Sequence, residues 1–341
     1  MPERGDEMEQ VLRLENVNVT YSNRGNEVYA VRDASFTLNK GESLGIVGES
    51  GSGKSTLAMA LLRLHNDKTT IVDGVAEFDG KNLLTISQNE MNELRWEGIS
   101  VVFQKAMSAL SPVHRIKTQV EDIYRVHEPK ATDQEIEERM EHLLKLVNLA
   151  PRVYKLYPHE MSGGMLQRVA IAISLLHNPK LVIFDEATTA LDVITQSQIL
   201  DEVVQMEKEM DMARIMITHD MSVVAASCTK VAVMYAGRFV EIGEVKDVFV
   251  DPQHPYTRGL LASFPSLKGE NTKLKAIPGF MPNLSDKFEG CNFAPRCPYA
   301  KAICKKVEPK QQVKENGGMI SCLMYEAEYK DEFQEGGAVD E

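Results

Sequence analysis

The chain has 341 residues, a formal net charge of −12 at pH 7 and 43% hydrophobic residues. This length and composition predict a folded protein with room for two domains, one of them with a large core. The acidic balance, without a stripe of lysine and arginine, excludes a nucleic-acid-binding face. No apolar run approaches the roughly 18 residues that span a bilayer. The polar start predicts no signal peptide, so we expect a cytoplasmic protein.

The first part of the chain predicts two strands. Residues 1–10 are polar, and we expect them to be disordered. Residues 11–21 alternate apolar and polar side chains with a period of two, which indicates a half-buried strand ending at Tyr21. Residues 28–38 predict a second strand. The aromatic ring of Tyr21 could stack on adenine or could be an ordinary strand-end tyrosine, and both readings stay open.

Residues 48–56 match the glycine-rich loop that binds nucleotide phosphates. A buried strand is predicted directly before this loop, and a helix over about 54–65 directly after it. Glycines let successive backbone N–H groups point into one anion-sized hollow, which the helix N-terminus also faces. Lys54 can reach the β- and γ-phosphates, and Ser55 can bind Mg²⁺. The predicted nucleoside triphosphate site comprises Gly48, Ser50, Gly51, Ser52, Gly53, Lys54, Ser55 and Thr56.

The middle of the chain predicts a change from strand to helix. Residues 99–104 read as a short apolar strand that ends at Gln104. Behind it, Thr132 and Glu135 have the spacing of a capping box, followed by apolar residues at helical spacing. We therefore expect a helical insertion over about residues 105–178.

A second glycine turn follows this insertion. Ser162, Gly163 and Gly164 precede a long apolar helix, whose N-terminus could receive an anion. Asp192 stands at the mouth of a later helix.

Two predicted strands end in polar residues. Residues 181–184 read as a buried strand followed by Asp185, which suits Mg²⁺, and Glu186, which suits a water-activating base. Residues 215–218 read as another strand, with His219 at its carboxyl end. A lone histidine is more often structural, but ligands of open α/β sheets bind at this end of the strands.

The order of these motifs resembles that of ABC-transporter ATPases. The phosphate loop, Gln104, the 162–164 turn, the two acids, Asp192 and His219 follow the family's order, and the resemblance runs from about 11 to 250. Kinases, helicases and small GTPases lack the 162–164 signature. The tail, with its His-Pro-Tyr-Thr segment at 254–257, is similar to that of dipeptide and oligopeptide importer ATPase subunits.

The resemblance implies an α/β fold of the P-loop NTPase type, with a RecA-like core, an antiparallel β-subdomain and a helical subdomain. It places the ATPase domain at 11–255, with the helical subdomain at about 105–178. A small cysteine-containing extension follows at 256–325, and we expect 326–341 to be disordered.

The resemblance also implies roles for single residues. Tyr21 would stack on adenine. Ser55, Gln104 and Asp185 would act at Mg²⁺, with Gln104 also sensing the attacking water. Glu186 would be the general base, and His219 would hold the γ-phosphate.

Three further residues would act across a subunit boundary. Ser162 and Gly164, with Gly163 between them, would bind the γ-phosphate of ATP held by a partner subunit. Asp192 would bridge the two halves.

The sequence departs from the family pattern at three places. The signature has Met161 and Met165 at its ends, and Ala187 stands where proline is usual. Residues 105–112 differ from the common form of the segment that contacts the membrane subunits.

The expected function is ATP hydrolysis that powers import of di- or oligopeptides, with ATP and Mg²⁺ as cofactors. Import of oligosaccharide or nickel and a soluble, non-transport ABC ATPase are the alternatives. Expected partners are a second, different ATPase subunit, two transmembrane permease subunits and, indirectly, an extracellular solute-binding protein, but no nucleic acid. The subunit would lie peripherally on the cytoplasmic face of the membrane.

Four of the five cysteines are spaced C-x5-C-x6-C-x17-C near the end of the chain. Cytoplasmic cysteines indicate metal before disulfides, and thiolates are the usual ligands of iron–sulfur clusters. Zinc ribbons prefer pairs two to four residues apart. We expect one structural [4Fe–4S] cluster, which relatives with this tail also carry, with zinc or free thiols as alternatives. The predicted ligands are Cys291, Cys297, Cys304 and Cys322, while Cys228 is expected to be a buried small residue.

Overall fold

The computed structural model describes residues 9–23, 25–104, 109–189, 191–263, 276–286 and 288–334. Its strands are β1 (Gln10–Asn23), β2 (Asn26–Asn39), β3 (Ser43–Val47), β4 (Thr70–Phe78), β5 (Lys81–Asn82), β6 (Ile99–Phe103), β7 (Leu181–Asp185), β8 (Ala213–Thr218), β9 (Lys230–Tyr235), β10 (Arg238–Glu244), β11 (Gln312–Val313) and β12 (Met319–Ile320).

The α-helices of the described ranges are α1 (Lys54–Leu61), α2 (Gln88–Glu97), α3 (Ile116–His127), α4 (Asp133–Leu146), α5 (Gly163–Ser174), α6 (Val193–Met210), α7 (Met221–Ser227), α8 (Val245–Val250), α9 (Pro255–Ala262) and α10 (Lys330–Gln334). None of these helices is long and apolar enough to cross a membrane.

The N-terminal strands form a separate antiparallel sheet in the order β2-β1-β4-β5. Both strands predicted from the alternating pattern are present and run slightly longer than predicted. Residue 10 belongs to β1 and is ordered, whereas 1–8 lie outside the described residues. The inward side chains of β1 and β2 are buried, which explains the period-two pattern.

The larger sheet has eight strands in the order β11-β12-β10-β9-β3-β8-β7-β6. Strands β9, β3, β8, β7 and β6 run parallel to one another, β10 pairs antiparallel with β9, and β3, β7 and β8 are buried along their whole length. Burial on both faces favours continuous apolar runs, which is how these strands read in the sequence. The carboxyl ends of β3, β7 and β8 therefore meet at one edge.

The helical insertion contains α3, α4 and α5. The capping box is confirmed: Thr132 Oγ1 accepts the Glu135 N–H, and the Glu135 carboxylate accepts the Thr132 N–H at 2.8 Å. The apolar stripe behind it is buried in one core together with residues of α5 and α6. The first four residues of the predicted insertion, 105–108, lie outside the described residues.

The C-terminal extension, predicted to begin near residue 255, packs directly on the larger sheet. Strand β12 pairs with β10 of the ATPase sheet, and β11 pairs with β12. Tyr256 and Phe293 pack in one core with Val231 and Val233 of the sheet. The proline-rich composition suggested a boundary, whereas two-residue strands carry too little pattern to be recognised.

Order also extends beyond residue 325, where disorder was expected to begin. Glu326 is buried and accepts the Lys310 N–H at 2.8 Å. Tyr329 and Phe333, the latter in α10, pack against the apolar residues around Cys304. The acidic composition of this segment indicated disorder in spite of these two aromatic residues. Residues 335–341 lie outside the described part of the chain.

A buried carboxylate fastens the extension to the sheet. Glu241, in β10, is 1% exposed and accepts the Gln253 N–H at 3.0 Å and the His254 N–H at 2.9 Å. Lys314 Nζ donates to the same carboxylate at 3.0 Å. Glu241 thus joins the start of α9 to the β11–β12 hairpin.

We expect Glu241→Gln to lower the free energy of unfolding by about 3 kcal/mol, because it leaves the Lys314 ammonium without its buried counter-charge. Urea unfolding measures the change. Glu15→Gln, at an exposed carboxylate that pairs with Arg13, is the control and should shift stability by less than about 0.5 kcal/mol. Equal effects of the two substitutions would contradict this account.

Candidate nucleotide-binding site

The phosphate loop connects the end of β3 to the start of α1 and packs closely on neighbouring backbone. A Cβ atom at Gly48 would lie 2.1 Å from the Met234 carbonyl oxygen, and one at Gly53 would lie 2.2 Å from that of Ala30. Gly53 also has a φ of +104°, which side chains other than glycine rarely adopt. The loop can therefore take this shape only with glycine at both positions.

The ammonium group of Lys54 is folded into the loop. Lys54 is 5% exposed, and its Nζ donates to the carbonyl oxygens of Gly48 at 2.8 Å and Glu49 at 2.9 Å. It also donates to Ser52 Oγ at 3.3 Å. Burial lowers the pKa of Lys54 because it disfavours the charged form. An anion in the hollow would supply the counter-charge that the carbonyl groups provide only in part.

An oxygen pair lies beside this lysine. Ser55 Oγ donates to Asp185 Oδ1 at 2.8 Å. Asp185 is the last residue of β7 and is 7% exposed, and burial raises the pKa of its carboxyl group. A hydroxyl and a carboxylate at this distance are the hard oxygen ligands that Mg²⁺ prefers, so the pair fits that ion.

Glu186, which follows Asp185, places a second carboxylate close to His219. Glu186 Oε1 lies 3.5 Å from His219 Nδ1. Glu186 has a φ of +50°, and its backbone N–H donates to the Ile217 carbonyl oxygen at 2.9 Å. A left-handed backbone at a residue other than glycine is uncommon and concentrates at functional sites. The strand pairing holds this conformation and turns Glu186 toward His219.

Thr189 connects Gln104 to the same turn. Gln104 Nε2 donates to Thr189 Oγ1 at 3.3 Å, and Thr189 Oγ1 donates to the Glu186 carbonyl oxygen at 2.9 Å. The sequence analysis missed Thr189, which carries no motif of its own. At the other end of the loop, the Tyr21 hydroxyl lies 3.5 Å from Thr56 Oγ1, with its ring half-buried.

The 162–164 turn lies apart from this group. Ser162 caps α5 and its Oγ accepts the Met165 N–H at 3.3 Å. Asp192 caps α6 by accepting the Thr195 N–H at 3.0 Å, and these hydrogen bonds lower the pKa of Asp192. A Cβ at Gly164 would lie 2.9 Å from Thr195 Cγ2, so the two caps are in contact. In the described ranges, no hydrogen bond or ion pair joins this exposed turn to residues 48–56.

The structure adds contacts to the phosphate loop that the sequence analysis missed. The Glu49 carboxylate pairs with Arg296, and the Glu49 backbone N–H donates to the Tyr256 hydroxyl. The only signal in the sequence is an acidic residue in an anion-binding loop, which calls for a cationic partner. That partner lies 247 positions later, beyond any local pattern.

The four C-terminal cysteines converge on one cavity, which also borders Phe293 and Leu323. All of them are free thiols, and burial raises the pKa of Cys297 and of Cys322 to about 12. Over the described residues, no group of three or more His, Cys, Asp or Glu side chains has the geometry to hold a metal ion. The [4Fe–4S] cluster thus stays a prediction. Cys228 stands apart from these four, partly buried beside Arg214.

Two family models match the chain. Residues 31–189 match the ABC transporter model, and 240–304 match the model for the C-terminal region of oligopeptide/dipeptide transporters. The oligopeptide transport ATP-binding protein OppD of Salmonella typhimurium is 46% identical over 301 residues, which cover 88% of this chain and 89% of that relative. This chain belongs to the oligopeptide/dipeptide transporter family of ABC ATP-binding subunits.

Other similarities agree with this assignment. The dipeptide transport ATP-binding protein DppD of Bacillus subtilis is 40% identical over 338 residues, covering 98% of this chain and 100% of the relative. A solved dimeric bacterial ABC transporter cassette is 27% identical, with a TM-score of 0.62 over 69% of this chain and 98% of that one. The predicted family, the ABC cassette fold and the activity of an ATPase coupled to transport are confirmed.

We expect Thr189→Val to lower the rate of ATP hydrolysis about fivefold, because a lost hydrogen bond of about 1 kcal/mol frees Gln104 from the Glu186 turn. ATP affinity should not change. Steady-state hydrolysis and ATP titration measure the two quantities. The matched control is Thr257→Val, which removes a buried hydroxyl group that has no hydrogen-bond partner among the described residues and should leave both unchanged. A Thr189 variant that hydrolyses ATP at the unmodified rate would contradict the role given to this residue.

Proposed function

We propose that this subunit binds Mg²⁺–ATP at residues 48–56 and uses its hydrolysis to import di- or oligopeptides. The observation that carries the ATP site is the convergence of Lys54, the Ser55–Asp185 pair and the Glu186–His219 pair at one sheet edge. The peptide substrate is supported by relatives named for oligopeptide and dipeptide transport. No feature of the described residues favours oligosaccharide or nickel.

In this proposal the loop holds the triphosphate. Lys54 Nζ leaves its carbonyl acceptors and binds the β- and γ-phosphates, while the backbone N–H groups of the loop surround the anion. Ser55 and Asp185 would hold Mg²⁺, and the ion would supply positive charge to the phosphates. The half-buried ring of Tyr21 stands at the strand end, where it stacks on adenine.

Glu186 is the general base of this proposal. Its carboxylate takes a proton from the attacking water, and His219 holds the γ-phosphate beside it. Gln104, which follows the adjacent strand, would orient the water and help to hold Mg²⁺. Thr189 supports this assignment because its hydroxyl group links the Gln104 side chain to the Glu186 backbone.

The exposed 162–164 turn supports a head-to-tail pair of ATPase subunits. Because no hydrogen bond or ion pair within the described part of the chain joins this turn to its own phosphate loop, Ser162, Gly163 and Gly164 would bind the γ-phosphate of ATP on a partner, with Asp192 bridging the halves. A similar cassette was solved as a dimer. We propose a different ATPase chain as the partner, under two transmembrane permease subunits that receive peptide from a solute-binding protein. This subunit then lies peripherally on the cytoplasmic face of the membrane.

The cysteine cavity supports a structural [4Fe–4S] cluster. Four thiols from separate turns line one enclosed space, which is the donor set that such a cluster requires. Cys291, Cys297, Cys304 and Cys322 would hold it.

We expect Glu186→Gln to slow ATP hydrolysis by about 10²–10⁴-fold while ATP still binds, because the substitution removes only the proton acceptor. Turnover is measured in the assembled transporter and ATP affinity by titration. Glu93→Gln, at an exposed carboxylate of α2, is the control and should hydrolyse ATP normally. The unmodified chain alone should hydrolyse ATP slowly. Near-normal turnover of the Glu186 variant would rule out this base.

We expect protein purified without oxygen, from cells supplied with iron, to be brown and to contain about four irons per chain. Elemental analysis and absorption spectra measure this. Cys297→Ser should lose most of the iron, whereas Cys228→Ser, outside the cavity, should retain it. Colourless protein with one zinc ion per chain would exclude the cluster.

A further inference from the structure

An ion pair connects the phosphate loop to the end of the chain. Arg296 Nη1 lies 2.9 Å from Glu49 Oε1 and 3.1 Å from Glu49 Oε2. The Arg296 side chain is 6% exposed and that of Glu49 is 31% exposed. The guanidinium is sheltered from water while the carboxylate is only partly so, which makes the pair less screened than a fully exposed one, and the loss of one partner leaves the other unpaired.

Glu49 occupies an unusual place for a carboxylate. It is the second residue of a loop that gathers N–H groups and a lysine around an anion, and its own carbonyl oxygen accepts from Lys54 Nζ. An unpaired negative charge here would repel the phosphates that the loop is built to bind. The guanidinium of Arg296 cancels that charge and holds the side chain by both oxygens.

Arg296 is held in place before it meets the loop. Its Nε donates to the Pro278 carbonyl oxygen at 2.8 Å, and its Nη1 lies 3.4 Å from the Tyr235 hydroxyl. The guanidinium carbon lies 5.7 Å from the centre of the Tyr235 ring, within the range of a cation–π contact. Arg296 ends a 3₁₀ turn, Ala294–Arg296, directly before Cys297. Its position therefore depends on the fold of the extension.

A second contact holds the backbone of the same loop residue. The Glu49 N–H donates to the Tyr256 hydroxyl at 3.0 Å. Tyr256 is fully buried, with its ring 4.6 Å from that of Tyr235 and 5.3 Å from that of Phe293. The aromatic packing fixes the hydroxyl group, and the hydroxyl group fixes the start of the loop.

We propose that Arg296 and Tyr256 are positioning residues for ATP binding, through which the C-terminal extension completes the phosphate loop. Arg296 neutralises the Glu49 carboxylate and Tyr256 orients the Glu49 backbone. This inference rests on the proposed role of residues 48–56 as the ATP site. It gives the extension a direct part in nucleotide affinity, in addition to the stability it gains by packing on the sheet.

A charge-neutralising role of Arg296 can be distinguished from a merely structural one. If Arg296 acts by neutralising Glu49, its loss should matter only while Glu49 is charged. Arg296→Met should weaken ATP affinity at least about fivefold, and Glu49→Gln should restore it to within about twofold in the double variant. Glu49→Gln alone should bind ATP as well as the unmodified chain or more tightly.

The full-length chain is titrated with Mg²⁺–ATP by calorimetry, and KM and kcat are measured in the assembled transporter. Arg296→Met should raise the KM for ATP and leave kcat unchanged, and Tyr256→Phe should also raise KM. Arg258→Met is the matched control: its guanidinium also bonds a carbonyl oxygen and a tyrosine hydroxyl, those of Pro252 and Tyr325, away from the loop. It should leave ATP affinity unchanged.

Unchanged ATP affinity in Arg296→Met, or a double variant as weak as Arg296→Met, would overturn the proposal. If Arg296→Met does not fold, the neutral, hydrogen-bonding Arg296→Gln replaces it, and Glu49→Gln must again rescue its affinity. Lys54→Ala distinguishes a failure of the proposed ATP site from a failure of the inference about Arg296. ATP affinity that does not depend on Lys54 would refute the ATP site itself, whereas Lys54-dependent binding that ignores Arg296 would refute only the present inference.

Discussion

The register of three parallel strands is the constraint on which the site depends. Val47 of β3 pairs with Thr218 of β8, and Asp185 of β7 pairs with Ile217 of the same strand. The phosphate loop, Glu186 and His219 each follow directly on these positions, so they emerge together at one edge. Because each pairing fixes where its strand ends, a slip of one residue would displace these groups from one another by about 3.3 Å along the strand direction.

Much of this arrangement could be predicted, because its signals are short in the sequence. A phosphate loop is specified within nine residues, and the capping box at Thr132 within four. The fully buried strands appear as uninterrupted apolar runs. Where polar residues such as Asp185 and His219 follow those runs, the general rule for open α/β sheets places them beside the loop.

The remaining contacts could not be predicted, because no local pattern carries them. The Glu49–Arg296 pair joins positions 247 residues apart, and a single arginine has no periodicity. Strands β11 and β12 have two residues each, too few for alternation to appear. The left-handed turn at Glu186 is imposed by its bond to Ile217 and not by its own preference. These features come from tertiary packing between parts of the chain that are distant in sequence.

The ion pair between Glu49 and Arg296 affects the stage of synthesis at which a new chain can bind ATP fully. A ribosome delivers the N-terminal part first, so Lys54, Glu186 and His219 emerge well before Tyr256 and Arg296. Until then the Glu49 carboxylate stands in the loop without its guanidinium partner. A chain that ends before the extension therefore contains every nucleotide-binding motif but lacks Tyr256 and Arg296. On this account the chain reaches its full ATP affinity only after the extension has been made and has folded.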